Sequence, residues 1–259
     1  MKKAKGIHVM SKWTKTKALL RHKEMQPLVP ETRLMNADSL RRMLRRYSMV
    51  YIKPVSGSFG NGVMRVEQKG GARGTVYTYQ HEQKKRSFPS FDAMYRSIMK
   101  HKRKRPYLAQ KGIRLLKHRG RSFDIRVMVQ RNSGKQWETT GIIGRVAHPA
   151  KIITNYHGGG TPMDIRPLLT PWLKGDKVAA YERRLAKVGK NAAVALSHKY
   201  PRINMVGADI GVDSELKPWI IELNTNPDPY IFRHLKDRSV YRKVLHYARK
   251  LGRIPAKKR

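Results

Sequence analysis

Residues 207–227 form the stretch that most constrains this chain, with the sequence GADIGVDSELKPWIIELNTNP. Its pattern predicts two short strands, at 206–212 and 218–223, joined by a turn at 213–217. Side chains on a strand alternate between two faces, so Glu222 and Asn224 point the same way. In an antiparallel hairpin they can converge with Asp209. Two carboxylates and an amide oxygen are the hard ligands that Mg²⁺ prefers when it also carries nucleotide phosphates.

The alternative for these acids is a solvated hairpin whose carboxylates face water. Strict alternation divides the second strand into an apolar face and a face with the polar groups. The apolar face comprises Trp219, Ile221 and Leu223, and the other comprises Ile220, Glu222 and Asn224. An acid on a half-buried strand needs a partner, so we favour a metal site.

The chain is strongly basic, with 57 Lys and Arg against 17 Asp and Glu and a formal charge of +40. This charge exceeds what solubility requires and predicts an anionic partner: nucleic acid, a polyanionic polymer, an acidic peptide or a nucleotide. Five of the 17 acidic residues fall between Asp209 and Asp228, so the hairpin is an acidic island in a basic chain.

Composition also bounds the cellular context. The absence of cysteine excludes disulfides and thiolate metal sites, and it is consistent with a reducing compartment. We find no secretory apolar region and no run of about 20 apolar residues that would span a membrane. We therefore expect a soluble, cytoplasmic protein without a membrane span.

The pattern of elements predicts an α+β fold rather than a doubly wound sheet, because many neighbouring strands look antiparallel. Strands are predicted at 49–53, 63–68, 75–80, 121–131 and 137–146, and helices at 12–23, 36–46, 91–102, 176–199 and 235–251. Asp38 or Ser39 is expected near the cap of the second helix.

A glycine-rich loop at 56–62, with the sequence SGSFGNG, follows the predicted strand that ends at Lys53. Glycines let a backbone approach phosphates closely, and a lysine beside such a loop is well placed to meet phosphate oxygens. The loop is not a Walker A motif. The alternative is an ordinary hairpin with Asn61 and Gly62 in a type I′ turn, and the loop alone leaves both interpretations open.

Asp124 and Arg126 share the polar face of the strand predicted at 121–131. Taken without the other motifs, the two residues are best explained as the solvent-exposed face of a strand rather than as part of a site. Three consecutive glycines after the Asn155 loop, at 158–160, indicate either a backbone that contacts a ligand or a flexible loop.

In their order along the chain, these pieces resemble the ATP-grasp superfamily. The order is Lys on a strand, a glycine-rich loop, an extended hinge, Asp-x-Arg, Arg, Asn-x-x-Gly-Gly and then Asp with Glu-x-Asn. More narrowly, the segments LVPETRLM, YIKPVSGSFGNGV, RSFDIRVMVQ, TNYHGGG and WIIELNTNPD resemble the spore-coat-associated YheC/YheD family. The resemblance implies two α+β subdomains whose antiparallel sheets sandwich a nucleotide. It divides the chain into an N-terminal helical part (1–48), a small lid subdomain (49–112) and a large subdomain with the metal site (113–259).

The resemblance also implies roles for individual residues. Asp209, Glu222 and Asn224 would hold one or two Mg²⁺ ions, and Arg126 and Arg145 would stabilise charge on the transferred phosphoryl group. The loop at 56–62 would close over the triphosphate, and the hinge that begins at Gln110 would receive adenine. The expected ATP contacts are Lys12, Lys53, Ser56, Gly57, Ser58, Phe59, Gly60, Gln110, Lys111, Ile113, Asp124 and Asn155.

The implied activity is a Mg²⁺- and ATP-dependent carboxylate–amine ligase that works through an acyl-phosphate. Its acceptor would be an acidic peptide or an envelope polymer, and spore association is implied. The alternative is a non-catalytic basic protein that uses the scaffold to bind a polyanionic surface or nucleic acid, although no nucleic-acid module is recognised.

Two departures from the superfamily lead to further expectations. Gln110 stands where many relatives have an acid, which puts the ribose contact in question. Relatives also carry an N-terminal domain ahead of the first lysine, and we expect this chain to be a short form without it.

Overall fold

The structure, a computed structural model, describes residues 7–71, 74–154 and 156–255. Within these ranges the chain forms two β-sheets of six strands each, and every pairing is antiparallel. The α-helices are α1 (Lys12–Leu19), α2 (Ala37–Tyr47), α3 (Phe91–His101), α4 (Arg166–Leu169), α5 (Asp176–Lys199) and α6 (Arg238–Lys250). The α+β class predicted from the sequence is confirmed.

The first sheet lies within residues 32–111. Its strands are β1 (Thr32–Leu34), β2 (Met49–Pro54), β3 (Met64–Gly71), β4 (Gly74–His81), β5 (Lys84–Phe88) and β6 (Tyr107–Lys111). They run in the order β1-β6-β2-β3-β4-β5. Helices α2 and α3 pack apolar residues against this sheet, and the core that results includes Leu40, Ile52, Met64 and Ile98.

Helix α2 begins in a capping box. The Asn36 side chain accepts the Ser39 N–H at 2.7 Å, and Ser39 Oγ accepts the Asn36 N–H at 2.9 Å. The cap is therefore Asn36. Ser39, expected near the cap, is the third helical residue and supplies the other half of the box, and Asp38 lies in the first turn.

The second sheet begins at residue 117. Its strands are β7 (Lys117–His118), β8 (Arg121–Arg131), β9 (Trp137–Val146), β10 (Thr161–Met163), β11 (Met205–Val212) and β12 (Pro218–Asn224). The order is β10-β9-β8-β11-β12, with β7 beside β8. Helix α5 contacts β8, β9 and β11, α6 contacts β8 and β9, and α1 contacts α5 and β12.

Strand β8 is buried on both faces. Phe123, Ile125 and Val127 belong to the core that includes α5, whereas Met128 packs in a second cluster with α6. Asp124 and Arg126, on the same face as Met128, are only 3% and 7% exposed. The interpretation of this face as solvent-exposed is wrong, because α6 packs on Met128 while Asp124 and Arg126 are buried in ion pairs with neighbouring strands.

A β-bulge interrupts β12. Asp209 pairs with Glu222 and Ile210 pairs with Ile220, so Ile221 has no partner on β11. Ile220 and Leu223, three positions apart, consequently both lie in the hydrophobic core, and Ile221 faces a cavity with Glu222. The predicted alternation is right for Glu222 opposite Leu223. It is wrong for Ile220, which lies in the core, and for Ile221, which faces the cavity, because the bulge interrupts the alternation between them.

Several elements match the predicted bounds to the residue, namely β8, β9 and α5. Helix α1 ends at Leu19 rather than at residue 23, and α6 begins at Arg238 because a 3₁₀ helix, Tyr230–His234, precedes it. Strands β1 and β5 were not predicted. Both are short and carry no clear apolar alternation.

The predicted division at residues 48 and 112 stays a prediction. The first sheet does end at Lys111, but β1 and α2, which precede residue 49, also belong to it. Helix α1 packs instead with the second sheet. Among the helices that the structure describes, none has both the length and the apolar character needed to cross a membrane.

Candidate active site

Lys53 lies near the end of β2, in the cleft between the two sheets. Its Nζ donates to Gln110 Oε1 at 2.8 Å and to the Ile221 carbonyl oxygen at 3.1 Å. The side chain thus bridges β6 of one sheet and β12 of the other. Burial lowers the pKa of Lys53 to about 8, although Glu222 opposes the shift by stabilising the charged form.

Two more lysines reach the same cleft from α1. The Ser11 side chain caps this helix by accepting the Thr14 N–H. Lys12 Nζ donates to the Gly57 carbonyl oxygen at 2.6 Å and lies 3.4 Å from Glu222 Oε1. Lys15, one helical turn later, is 5% exposed, and burial lowers its pKa. Lys12 was predicted for the site and Lys15 was not, although their spacing of three places both on one helix face.

The glycine-rich loop connects β2 to β3 and closes one side of a cavity of about 490 Å³. Gly57, Gly60 and Gly62 have φ values of 145°, 70° and 79°, which side chains rarely adopt. A type I′ turn needs positive φ at Asn61 as well, which Asn61 does not show. The type I′ turn is therefore wrong, although β2 and β3 do form an antiparallel hairpin with this longer loop between them. Predicted loop residues that line the cavity are Gly57, Ser58, Phe59 and Gly60, whereas the Ser56 carbonyl accepts Arg105 Nη1 at 3.3 Å.

A second cavity, of about 150 Å³, is lined by Lys53 and adjoins the larger one at Gly60 and Glu222. Its walls are mostly apolar, with contributions from Val63, Ile113, Leu115 and Ile221. Its size and apolar walls suit a flat heteroaromatic ring.

The side chains at the start of the predicted hinge make their contacts within the protein. Gln110 Nε2 donates to Thr32 Oγ1 at 3.0 Å, and Gln110 Oε1 accepts from Lys53. The Lys111 ammonium lies over the Trp219 ring at 4.6 Å, and its backbone N–H donates to Glu31. Both residues border the cavity. Ile113 borders it as well and follows the last paired residue of β6.

Two arginines and two aspartates form a buried charged network across β9, β8 and β11. Asp124 faces Arg145, and Arg126 faces Asp209, in directly paired positions. Arg126 binds both oxygens of Asp209, at 2.5 and 3.1 Å, and Arg145 binds both oxygens of Asp124, at 2.8 and 2.5 Å. A further contact of 3.0 Å joins Arg145 to Asp209. The four side chains thus form one chain of alternating charge.

Burial alone would raise the pKa of Asp209, but the two guanidinium groups lower it to about 2. Asp124 and Asp209 also raise the pKa of Arg145 despite its burial. Gly207 leaves room for this arrangement. A Cβ there would lie 2.8 Å from Pro227 Cβ and 3.0 Å from Arg126 Cδ.

The hairpin brings its two carboxylates together as predicted. Asp209 and Glu222 are directly opposite each other, and Asn224 pairs with Gly207 two positions away. Glu222 is 29% exposed, and Asn224 Oδ1 accepts the Asn226 N–H at 2.9 Å. The turn between β11 and β12 is held by Asp213, whose carboxylate accepts the backbone N–H groups of Glu215 and Lys217 and the Trp219 Nε1–H.

The oxygens of these side chains suit a hard divalent cation, but the two carboxylates differ in how accessible they are to one. Asp209 gives both its oxygens to arginines, whereas Glu222 faces the large cavity with one lysine beside it. In the part of the chain that the structure describes, no group of three or more His, Cys, Asp or Glu is arranged to hold a metal. A cation here would therefore complete its coordination with ligand oxygens and water.

The large cavity also contains residues that the sequence reasoning missed. His8 and Arg253 line it, although they come from opposite ends of the chain. No local motif marks them, and only the packing of the chain ends brings them together. The predicted contact Asn155 lies outside the described residues. Its neighbours Ile153 and Thr154 border the smaller cavity.

Comparisons with known proteins identify the family and the fold. A family model described as "YheC/D like ATP-grasp" matches residues 5–251. The endospore coat-associated protein YheD of Bacillus subtilis (strain 168) is 25% identical over 230 residues, which are 86% of this chain and 49% of YheD. The endospore coat-associated protein YheC of the same strain is 22% identical over 228 residues, covering 86% of this chain and 61% of YheC. The chain thus spans about half to three-fifths of the length of these relatives.

Among solved structures, the D-cycloserine synthetase DcsG superposes with a TM-score of 0.54 at 13% identity, over 93% of this chain and 70% of DcsG. At this identity the likeness concerns the fold. The two antiparallel sheets with a cleft between them are accordingly an α+β ATP-grasp fold, and the family match extends over almost all of the sequence. The chain belongs to the YheC/D-like ATP-grasp family.

Proposed function

We propose that this protein is a Mg²⁺-dependent ligase that uses ATP to join a carboxylate to an amine, releasing ADP and phosphate. The observation that carries the proposal is the convergence of separate motifs on one cleft. Lys12, Lys53, the loop at 56–62 and the carboxylate of Glu222 come from four segments and line two adjoining cavities. The smaller cavity has mostly apolar walls and suits a base, and the larger one has more cations than carboxylates in its walls and suits phosphates.

In this proposal, adenine occupies the smaller cavity, against Ile113 and Ile221. The triphosphate extends past Lys53 into the larger cavity, where Lys12 and the backbone of the glycine-rich loop neutralise and bind it. Phosphate oxygens would replace the carbonyl and amide oxygens that now accept from these two ammonium groups. The exchange is favourable because bonds between charged partners are the stronger ones.

Glu222 and Asn224 would hold the cation, with Asp209 opposite Glu222 on the neighbouring strand. Bound Mg²⁺ would neutralise phosphate charge and orient the terminal phosphate for attack. The arginine contacts of Asp209 favour a supporting role for this residue, because its carboxylate already positions Arg126 and Arg145.

The reaction has two steps. A carboxylate oxygen of the acid attacks the γ-phosphorus, the bond to the bridging oxygen breaks, and ADP leaves with the electron pair. The amine nitrogen then attacks the carbonyl carbon of the acyl-phosphate, phosphate leaves, and the nitrogen loses a proton to form the amide. Arg126 and Arg145 would stabilise the negative charge that develops in both steps. The protein supplies positioning and charge and needs no covalent nucleophile.

Hydroxylamine gives a test that does not require the natural amine, because it traps an acyl-phosphate as a hydroxamate. Wild-type protein with MgATP, a panel of acids and hydroxylamine should give ADP and hydroxamate in equal amounts. Glu222→Gln should abolish both. Glu215→Gln is the matched control, since it makes the same change at an exposed turn position of the same hairpin.

A second candidate function is polyanion binding without catalysis, which the charge of +40 favours. It predicts salt-sensitive binding to an anionic polymer that Glu222→Gln leaves intact. Hydroxamate formation by wild type that is lost in Glu222→Gln would exclude a purely structural role. Absence of ADP release across the panel, together with unchanged polymer binding, would favour it.

A further inference from the structure

A concentrated basic surface lies outside the cleft, on the first sheet. It comprises residues 81–86, which include the turn between β4 and β5, and residues 100–105, which lead from the end of α3 towards β6. Eight of these 12 residues are Lys or Arg, two are His and one is Glu. We call this surface the basic patch, and its Lys and Arg residues are Lys84, Lys85, Arg86, Lys100, Lys102, Arg103, Lys104 and Arg105.

The two segments of the basic patch meet around the end of β4. The Tyr79 hydroxyl lies 3.3 Å from His101 Nδ1, and the Arg86 guanidinium lies over the Tyr79 ring at 5.7 Å. Burial lowers the pKa of His81, and Arg86 and Arg103 lower it further. Cations from both segments therefore act on the same residue, so the segments form one surface.

The positive charge of the basic patch is not neutralised within the described part of the protein. There, none of its eight Lys and Arg side chains lies within ion-pair distance of a carboxylate. Lys102 and Arg105 instead donate to backbone carbonyl oxygens, at 3.0 and 3.3 Å. Like charges at this density repel one another, and an anionic partner would relieve the repulsion.

The basic patch adjoins the glycine-rich loop at both ends of the loop. Arg105 Nη1 donates to the Ser56 carbonyl oxygen, and Arg103 Cδ would lie 3.4 Å from a Cβ added at Gly62. Loop residues between these two positions line the larger cavity. A chain that is bound along the patch therefore lies next to the loop that borders this cavity.

The side chains of the basic patch suit carboxylates better than nucleic acid. Arg86 and Lys102 cover the rings of Tyr79 and Tyr107, which are only 0% and 2% exposed. Proteins that bind single-stranded nucleic acid combine positive charge with exposed aromatic rings on which the bases stack. The patch supplies charge without such rings, and the proposed reaction consumes a carboxylate.

We propose that the basic patch binds an acidic polypeptide and that the acid substrate of the ligase is a carboxylate of this same chain. Several Asp or Glu side chains of the polypeptide would bind the patch, and one further carboxylate would enter the larger cavity and react. The inference rests on the proposed ligase function and adds to it the class of acid substrate and the surface on which that substrate docks.

Calorimetry with a decaglutamate peptide at low salt tests the docking without turnover. The patch variant changes three exposed lysines of the basic patch, as Lys84→Gln, Lys85→Gln and Lys104→Gln. The matched control removes the same charge from exposed positions of α5, as Lys177→Gln, Lys187→Gln and Lys190→Gln. Wild type and control should bind the peptide equally. The patch variant should bind it about 10-fold more weakly and with a smaller salt dependence, because three exposed charge pairs are lost.

Hydroxamate formation connects the docking surface to the reaction. With MgATP, hydroxylamine and decaglutamate, the patch variant should show about a 10-fold higher KM than wild type and the same kcat. A small acid such as glutarate cannot bind the patch and the cavity together, so the rate with glutarate should be the same in all three proteins. This split between KM and kcat separates docking from a general loss of activity.

Each outcome decides the inference. Failure of wild type to bind decaglutamate, or equal weakening in the patch variant and the control, would overturn it. A decathymidylate oligonucleotide that binds the patch as tightly as the peptide would overturn it in favour of nucleic acid. Hydroxamate from glutarate but none from decaglutamate would overturn it and leave the ligase proposal intact. Hydroxamate from neither acid, although the peptide binds the patch, would overturn the ligase proposal and with it the assignment of the peptide as substrate.

Discussion

Replacing Asp209 by Asn tests whether the buried charged network holds the site together. The change keeps the size of the side chain and removes its charge. Asp209 now accepts two contacts from Arg126 and one from Arg145. Arg145 would keep the two bonds to Asp124, but Asp209 is the one carboxylate within ion-pair distance of Arg126 among the described residues.

The structure gives a magnitude for this substitution. The side chain of Arg126 is 8% exposed and that of Asp209 is 14% exposed, so the pair is largely screened from water. Breaking a buried pair by removing one partner costs about 3–5 kcal/mol. Because Asn can still accept one bond and Arg145 remains paired, we expect the lower end, about 3 kcal/mol in the free energy of unfolding.

Urea denaturation at neutral pH measures this loss, and Glu222→Gln provides the comparison. Glu222 is 29% exposed and has one contact of 3.4 Å with Lys12, so its replacement should change stability by less than about 1 kcal/mol. Both variants should lose ligase activity. An Asp209→Asn protein as stable as Glu222→Gln would refute a structural role of the network and would favour Asp209 as a metal ligand only.

Three further predictions concern other parts of the structure. Lys53→Met should weaken MgATP binding about 10- to 100-fold in calorimetry, because a buried ammonium can no longer bind the phosphates. Gly207→Ala should lower the unfolding free energy by about 1–3 kcal/mol in urea, since the added methyl group meets Pro227 Cβ at 2.8 Å. Lys243 and its neighbours hold the pKa of Glu138 below its usual range, so this carboxylate stabilises the fold above about pH 4.5 and the contribution is lost as pH falls through the lower, folded-state pKa. Glu138→Gln should therefore flatten the acid side of the stability–pH curve.

Matched controls separate these effects from general damage. Lys69→Met, at an exposed position of β3, should leave MgATP affinity unchanged. Gly70→Ala has open space around the added methyl group and should not reproduce the loss at Gly207. Glu215→Gln, at the exposed turn, should keep the acid side of the wild-type curve. A control that behaves like its partner would contradict the corresponding physical reason.

The sequence predicts those parts of the fold in which the local pattern alone determines the structure. Strand β8 alternates strictly, and α5 has a long amphipathic pattern, so their bounds follow from periodicity. The cap of α2 was placed only approximately, because Asn36 and Ser39 both qualify by residue type and only the geometry distinguishes their places in the box.

Long-range features of the site could not be predicted in the same way. The pairing of Arg126 with Asp209 depends on the register between β8 and β11, which are more than 70 residues apart along the chain. The meeting of His8 with Arg253 likewise depends on how the two chain ends pack. A motif identifies the residues of a site more readily than it identifies which of them bind one another.

The bulge at Ile221 affects the wall of the smaller cavity more than the pairing of β12. Deleting Ile221 would leave Glu222 opposite Asp209 and Ile220 opposite Ile210, so regular pairing would return with Ile220 and Leu223 still in the core. The deletion would remove the side chain that faces the smaller cavity beside Glu222, and with it the carbonyl oxygen that accepts from Lys53. We therefore expect a chain without this extra residue to keep the hairpin and to lose one apolar wall of the cavity.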